Sequence, residues 1–73
     1  MNKERRKRIA EALEKISEAR DILEEVKDEE RDAYDNMPES LQASERGEQM
    51  QENAENLEEF IGYLEDTESL EEM

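Results

Sequence analysis

The chain has no cysteine and no histidine among its 73 residues. Without cysteine, no disulfide can staple a small fold, and an intracellular setting is compatible. Without histidine, the commonest zinc ligand is missing. So are the Ser–His–Asp set, the HExxH helix and the Glu-x-x-His pairs of di-iron bundles. Glycine is confined to Gly47 and Gly62, which leaves no phosphate-cradling loop. Proline occurs once, at Pro38. No apolar run approaches the ~18 residues that span a bilayer. The start, MNKERRKRIAEAL, is basic but lacks the apolar stretch of a secretion signal. No basic residue follows Arg46.

What is present is acid: 24 Asp and Glu against 10 Lys and Arg, a formal charge of −14. Low hydrophobicity with high net charge is also the composition of disordered chains. Here, however, the apolar residues are periodic. Ahead of Pro38 about thirty residues of helix-forming Ala, Leu, Glu, Lys and Arg run unbroken. Ile9, Ala12, Ile16, Ala19, Leu23, Val26 and Ala33 recur at steps of three and four, or of seven, which predicts an a/d heptad seam. Ile9, Ile16, Leu23 and Glu30 take position a; Ala12, Ala19, Val26 and Ala33 take position d, where small side chains let a partner approach. Leu13 and Ile22 flank the stripe and widen it. After the proline, Gly47, Met50, Ala54, Leu57, Ile61 and Leu64 repeat the pattern, with Phe60 beside it and Tyr63 further round. Ser44 is a candidate N-cap, followed by acidic Glu45.

These signals predict one all-α domain over residues 1–73: a first helix at about 3–34, a hinge at 35–43, a second helix at about 44–68, and a frayed tail at 69–73. Pro38 suits the start of a short helical turn over 38–42. A connection this short makes the helices antiparallel neighbours. Folding at Pro38 also brings the cations Lys3, Arg5, Arg6, Lys7 and Arg8 beside the acidic end. Cations at a helix start oppose the helix dipole, so the cluster points to a clasp with the tail or to contact with a partner. Two helices share one seam and leave its far side wet, and a chain this small buries little surface. The expectation is an antiparallel two-helix hairpin assembling as a homodimeric four-helix bundle or a larger oligomer, in preference to a marginal monomer.

Chemistry is sparse. Carboxylates abound, but none is singled out by a pocket that would raise its pKa, so the reading is non-enzymatic and without cofactor. Asp28, Asp32 and Asp35 share a helical side, yet a calcium loop starting at Asp28 would place Ala33 where glycine is required. No metal site is expected. Outside the first eight residues the chain repels phosphate, which argues against direct nucleic-acid binding. Acids in rows on rigid helices can instead imitate a phosphate backbone and occupy a basic groove on a partner protein. The hinge carries the most varied polar chemistry, and Tyr34, Asn36, Ser40, Gln42, Ser44 and Arg46 form the candidate binding set. Arg46 near a helix start would favour an anion, such as a phosphate or a partner's carboxylate. The structural alternative is hinge capping, in which Asn36 and Ser44 satisfy free amides, Tyr34 packs on Pro38, and Arg46 pairs with Asp32 or Asp35.

Residues Tyr34 to Gln42 (YDNMPESLQ) and Ser44 to Glu48 (SERGE), followed by an acidic amphipathic helix, resemble a group of short helical proteins of tailed phages and prophages. The likeness covers about half of the chain, residues 29–65. It implies a phage-associated, non-enzymatic protein of the bacterial cytoplasm. Small acidic phage proteins act by binding: some block host nucleases or polymerases, and some oligomeric helical hairpins sequester nucleotide signals of bacterial immunity. Three expectations follow. The first is a protein-interaction module that inhibits a host protein through its acidic faces or its hinge. The second is a nucleotide-binding sponge with sites built by Arg46, Ser44 and Tyr34 at subunit boundaries. The third is a structural or accessory phage protein.

Overall fold

A computed structural model describes all residues, 1–73, and every element in it is helical. The order is α1 (Lys3–Asp35), α2 (Glu39–Gln42), α3 (Glu45–Glu65) and α4 (Glu68–Glu71). The molecule is a narrow rod of 58 × 15 × 12 Å. α1 forms its long axis, and the rest of the chain bends at the proline and lies along it. The direction of the bent piece follows from three meetings: Tyr34 with Gln42, Arg31 with Glu58, and Arg6 with Met73.

The ends of α1 have local causes. Asn2, in extended backbone, accepts the Arg5 N–H on its side-chain oxygen at 2.8 Å, satisfying one of the free amides of the first turn. At the other end the Asn36 N–H reaches the Asp32 carbonyl at 3.0 Å and the Met37 N–H reaches that of Tyr34 at 3.0 Å. Pro38 then stops the helix, having no N–H to donate and a ring that excludes the preceding turn. Its own carbonyl accepts from Leu41 and Gln42 at 2.9 and 3.0 Å, which closes α2 as the expected single turn. Ser44 caps α3, accepting the Gly47 N–H at 3.4 Å and donating its hydroxyl to the Leu41 carbonyl.

The seam of α3 lies where the periodicity places it. Gly47, Ala54 and Ile61 are buried, and Met50, Leu57 and Leu64 are half-buried between them. The seam of α1 is rotated from the a/d reading. Ile9, Ile16, Leu23 and Glu30 do face α3, but their companions are Leu13, Arg20, Lys27 and Tyr34, and the expected d residues Ala12, Ala19, Val26 and Ala33 are exposed. The reason is side-chain size. A turn of the helix by less than a quarter exchanges three alanines for Leu13, Tyr34 and the alkyl stems of Arg20 and Lys27, which cover apolar surface while their charges reach water.

The C-terminal end also differs from expectation. The second helix stops at Glu65, three residues short, where Asp66 leaves helical dihedrals at φ −85° and ψ 76°. The following residues wind into α4, with Leu70 half-buried and sharing a cleft with Ile9, Ala10 and Leu13 of α1. Leu70 is the apolar anchor that gives this turn something to close on. The Arg6 guanidinium donates from Nε to the Met73 carbonyl at 3.1 Å, so the expected clasp between basic start and tail consists of this one bond. Lys3, Arg5, Lys7 and Arg8 have no ion-pair partner.

Candidate functional site

The six hinge candidates divide according to what the corner does with them. Tyr34 is half-buried on the last turn of α1, and its carbonyl accepts the Gln42 side-chain amide at 2.9 Å. That bond ties α2 back to α1 and holds the corner closed. Ser44 is half-buried and committed to capping α3. Asn36, Ser40 and Arg46 are exposed. Asn36 caps α1 through its backbone, with no hydrogen bond from its side chain, and Arg46 pairs with neither Asp32 nor Asp35. The corner therefore uses Tyr34, Gln42 and Ser44 structurally and presents Asn36, Ser40 and Arg46 to solvent.

Gly47 explains how tightly the corner is drawn. A Cβ built there falls 2.7 Å from Gln42 Cα and closer still to its carbonyl group. Only glycine lets the end of α2 sit against the first turn of α3. Gly62, by contrast, has nothing within 4 Å of such a Cβ.

Beside the corner a shallow cavity of about 270 Å³ opens between α1 and α3, lined by Arg31, Tyr34, Asp35, Met50, Ala54 and their neighbours. Tyr34 is its one member from the candidate set. Arg31, absent from that set, forms the chain's single ion pair, with Glu58 at 2.6 Å. Sequence reasoning missed this pair because the partner lies 27 positions away. The available signal was a cation directly following the seam residue Glu30. Asp28, Asp32 and Asp35 are not gathered into a group able to hold a metal ion, and no helix is long and apolar enough to cross a membrane.

The larger feature is a division of charge. Each helix has two flanks beside its seam, and the Arg31–Glu58 pair identifies which flanks lie together. On that side α1 carries Glu14, Asp21, Asp28 and Asp35 at seven-residue spacing. α3 adds Glu58 and Glu65 on one row and Glu48 and Glu55 on the next. Seven residues of helix rise ~10.5 Å, so each row is a ladder of carboxylates along the rod. On the opposite side α1 presents Ala12, Ala19, Val26 and Ala33, with Lys15, Ile22 and Glu29 on the adjoining row. There α3 presents Arg46, Asn53 and Phe60, then Gln49, Asn56 and Tyr63. Glu29 is the one acid in those rows, while Glu11, Glu18, Glu25 and Asp32 on the back of α1 and Glu45, Glu52, Glu59 and Asp66 on the back of α3 border both sides.

Neither a protein-family model, nor a curated protein, nor a solved structure matches the chain.

Proposed function

We propose that the chain is a non-enzymatic interaction module that works as a self-paired helical hairpin, the core of a four-helix assembly. Its acidic side binds a cationic groove on a host or phage protein and blocks that groove to nucleic acid. The observation that carries this reading is the segregation of carboxylates onto the Arg31–Glu58 side, in rows regular enough to stand in for a phosphate strand. The test is retention of the immobilised chain's partners from a bacterial lysate. A specific partner should elute steeply with salt, be displaced by duplex DNA, and be lost when Asp28 and Glu55 are changed to Lys. Retention indifferent to salt, DNA and those changes would end the reading.

A second reading rests on Arg46. It is exposed and unpaired on the first turn of a 21-residue helix, a position that favours an anion. Self-association at the corner would place two such arginines near Ser44 and Tyr34, in the manner of a nucleotide sponge. Thermal stabilisation by micromolar cyclic nucleotides that disappears in Arg46→Ala supports this second reading. No shift across a broad nucleotide panel removes it.

A further inference from the structure

We propose that the acid-poor side of the rod is the surface on which a second copy of this chain docks, antiparallel, about an axis through Ile22. The inference deepens the self-pairing in the reading above and rests on it, while assigning a face that the acidic-side binding does not use.

The first observation is apolar exposure concentrated at one place. Ile22 is 60% exposed, Val26 41%, Phe60 53% and Tyr63 67%. These are four of the seven large exposed apolar residues, and all four lie on the acid-poor rows. They also lie at one level along the rod. Arg20 shares a cleft with Leu64, and Arg31 shares the cavity with Ala54, so residues 22–26 of α1 run beside residues 57–63 of α3. The buried core, by comparison, contains just Ala54 and Ile61 as apolar members. The chain exposes more large apolar side chain at this patch than it fully buries.

Charge decides the occupant. Two copies at −14 repel each other on approach through any acidic surface. The acid-poor side is where that repulsion is least, and the alanines of the 12, 19 and 33 row let two α1 helices come close. Lys15, Ile22 and Glu29 occupy one row at seven-residue spacing, with Ile22 midway. A twofold axis at Ile22 reverses the second helix and sets Lys15 of each copy against Glu29 of the other. Glu29, the one acid within these rows, is thereby matched to a cation, twice, while Glu18 and Glu25 beside Ile22 and Glu59, which accepts the Tyr63 hydroxyl, lie at the border of the patch. The whole chain extends 58 × 15 × 12 Å, long enough for pairing along the rod to reach the ~800 Å² per partner of a standard specific interface.

Light scattering and sedimentation of the full chain at micromolar concentration test this. The wild-type protein should have twice the 8.7 kDa chain mass. Ile22→Glu and Phe60→Glu should each halve it. Because a separated chain could lose helix, the decisive variants are electrostatic. Lys15→Glu and Glu29→Lys should each weaken pairing by about tenfold at low salt, and the double exchange should restore it. A dimer unaffected by all of these variants overturns the assigned face and leaves self-pairing standing. A wild-type monomer overturns both, including the case in which another protein or a nucleic acid covers the patch. Loss of lysate-partner binding with the dimer intact bears on the acidic side alone.

Discussion

Arg31 of α1 and Glu58 of α3 meet at 2.6 Å, joining the two longest helices by the one ion pair of a chain with 34 charged side chains' worth of acids and bases. The pair aligns the flanks of the helices but is half-exposed at both ends, with side chains 47% and 59% accessible. Breaking it should therefore cost little. Arg31→Ala is expected to lower unfolding free energy by about 0.2–1 kcal/mol in low salt. Arg31→Glu combined with Glu58→Arg should recover most of the loss that Arg31→Glu alone incurs. Urea titrations of the four proteins measure the coupling, and a swap no better than the single reversal would mean that the two side chains do not meet in solution.

The two glycines should respond in opposite senses. Gly47→Ala forces a methyl into the Gln42 backbone, which must move for the corner to close. A cost of about 1–3 kcal/mol is expected, as for other overpacked sites. Gly62 sits mid-helix facing open space, so alanine there removes only the entropic penalty of glycine and should stabilise by about 1 kcal/mol. Thermal or urea melts of the two variants give the comparison. Equal and small effects would show that α2 does not sit against α3.

A third contrast concerns burial. Ile61 is 4% exposed, and the nearby Phe60 is 53% exposed. Ile61→Ala should destabilise the fold by about 2–5 kcal/mol, the range for emptying a core site. Phe60→Ala should change the stability of a separated monomer by much less, because its ring covers little within the chain. Measured at a concentration low enough to separate copies, a Phe60 effect as large as that of Ile61 would contradict the burial pattern.

The contrast between the helices shows where sequence is readable and where it is not. α3 has one apolar stripe of large and small residues, Gly47 to Leu64, and that stripe is its seam. α1 has two stripes sharing Ile9, Ile16 and Leu23, one completed by Ala12, Ala19 and Val26, the other by Leu13, Arg20, Lys27 and Tyr34. Periodicity favours the first because it is purely apolar. Packing selects the second because Leu13, Tyr34 and two long aliphatic stems cover more surface than alanines. The same limit applies at the corner. Pro38, Ser44 and the residue types of the hinge announce a turn, but the bond from Gln42 to the Tyr34 carbonyl ends on the backbone, which residue identity cannot encode. The helical turn of α4 was hidden in the same way, since Leu70 becomes an anchor only when Ile9 and Leu13 stand opposite.

The charge balance yields an inverted salt response. A fold held by ion pairs weakens as salt screens them, and here one exposed pair stands against the mutual repulsion of 24 carboxylates. The ladders of α1 and α3 lie on the same side, so folding brings like charges together. At about 0.01 M ionic strength the Debye length is ~30 Å, and the repulsion acts along much of the rod. At about 1 M it is ~3 Å, and the repulsion between rows is removed. Sodium chloride should therefore raise the melting temperature across that range, even though it weakens Arg31–Glu58. The Asp28→Lys and Glu55→Lys variants should melt higher than the wild type at low salt and lose the advantage at high salt. Helical signal followed by circular dichroism reads both effects. A melting temperature that falls with added salt would mean that attraction, not repulsion, governs the acidic side, and the carboxylate ladders would then have to be paired.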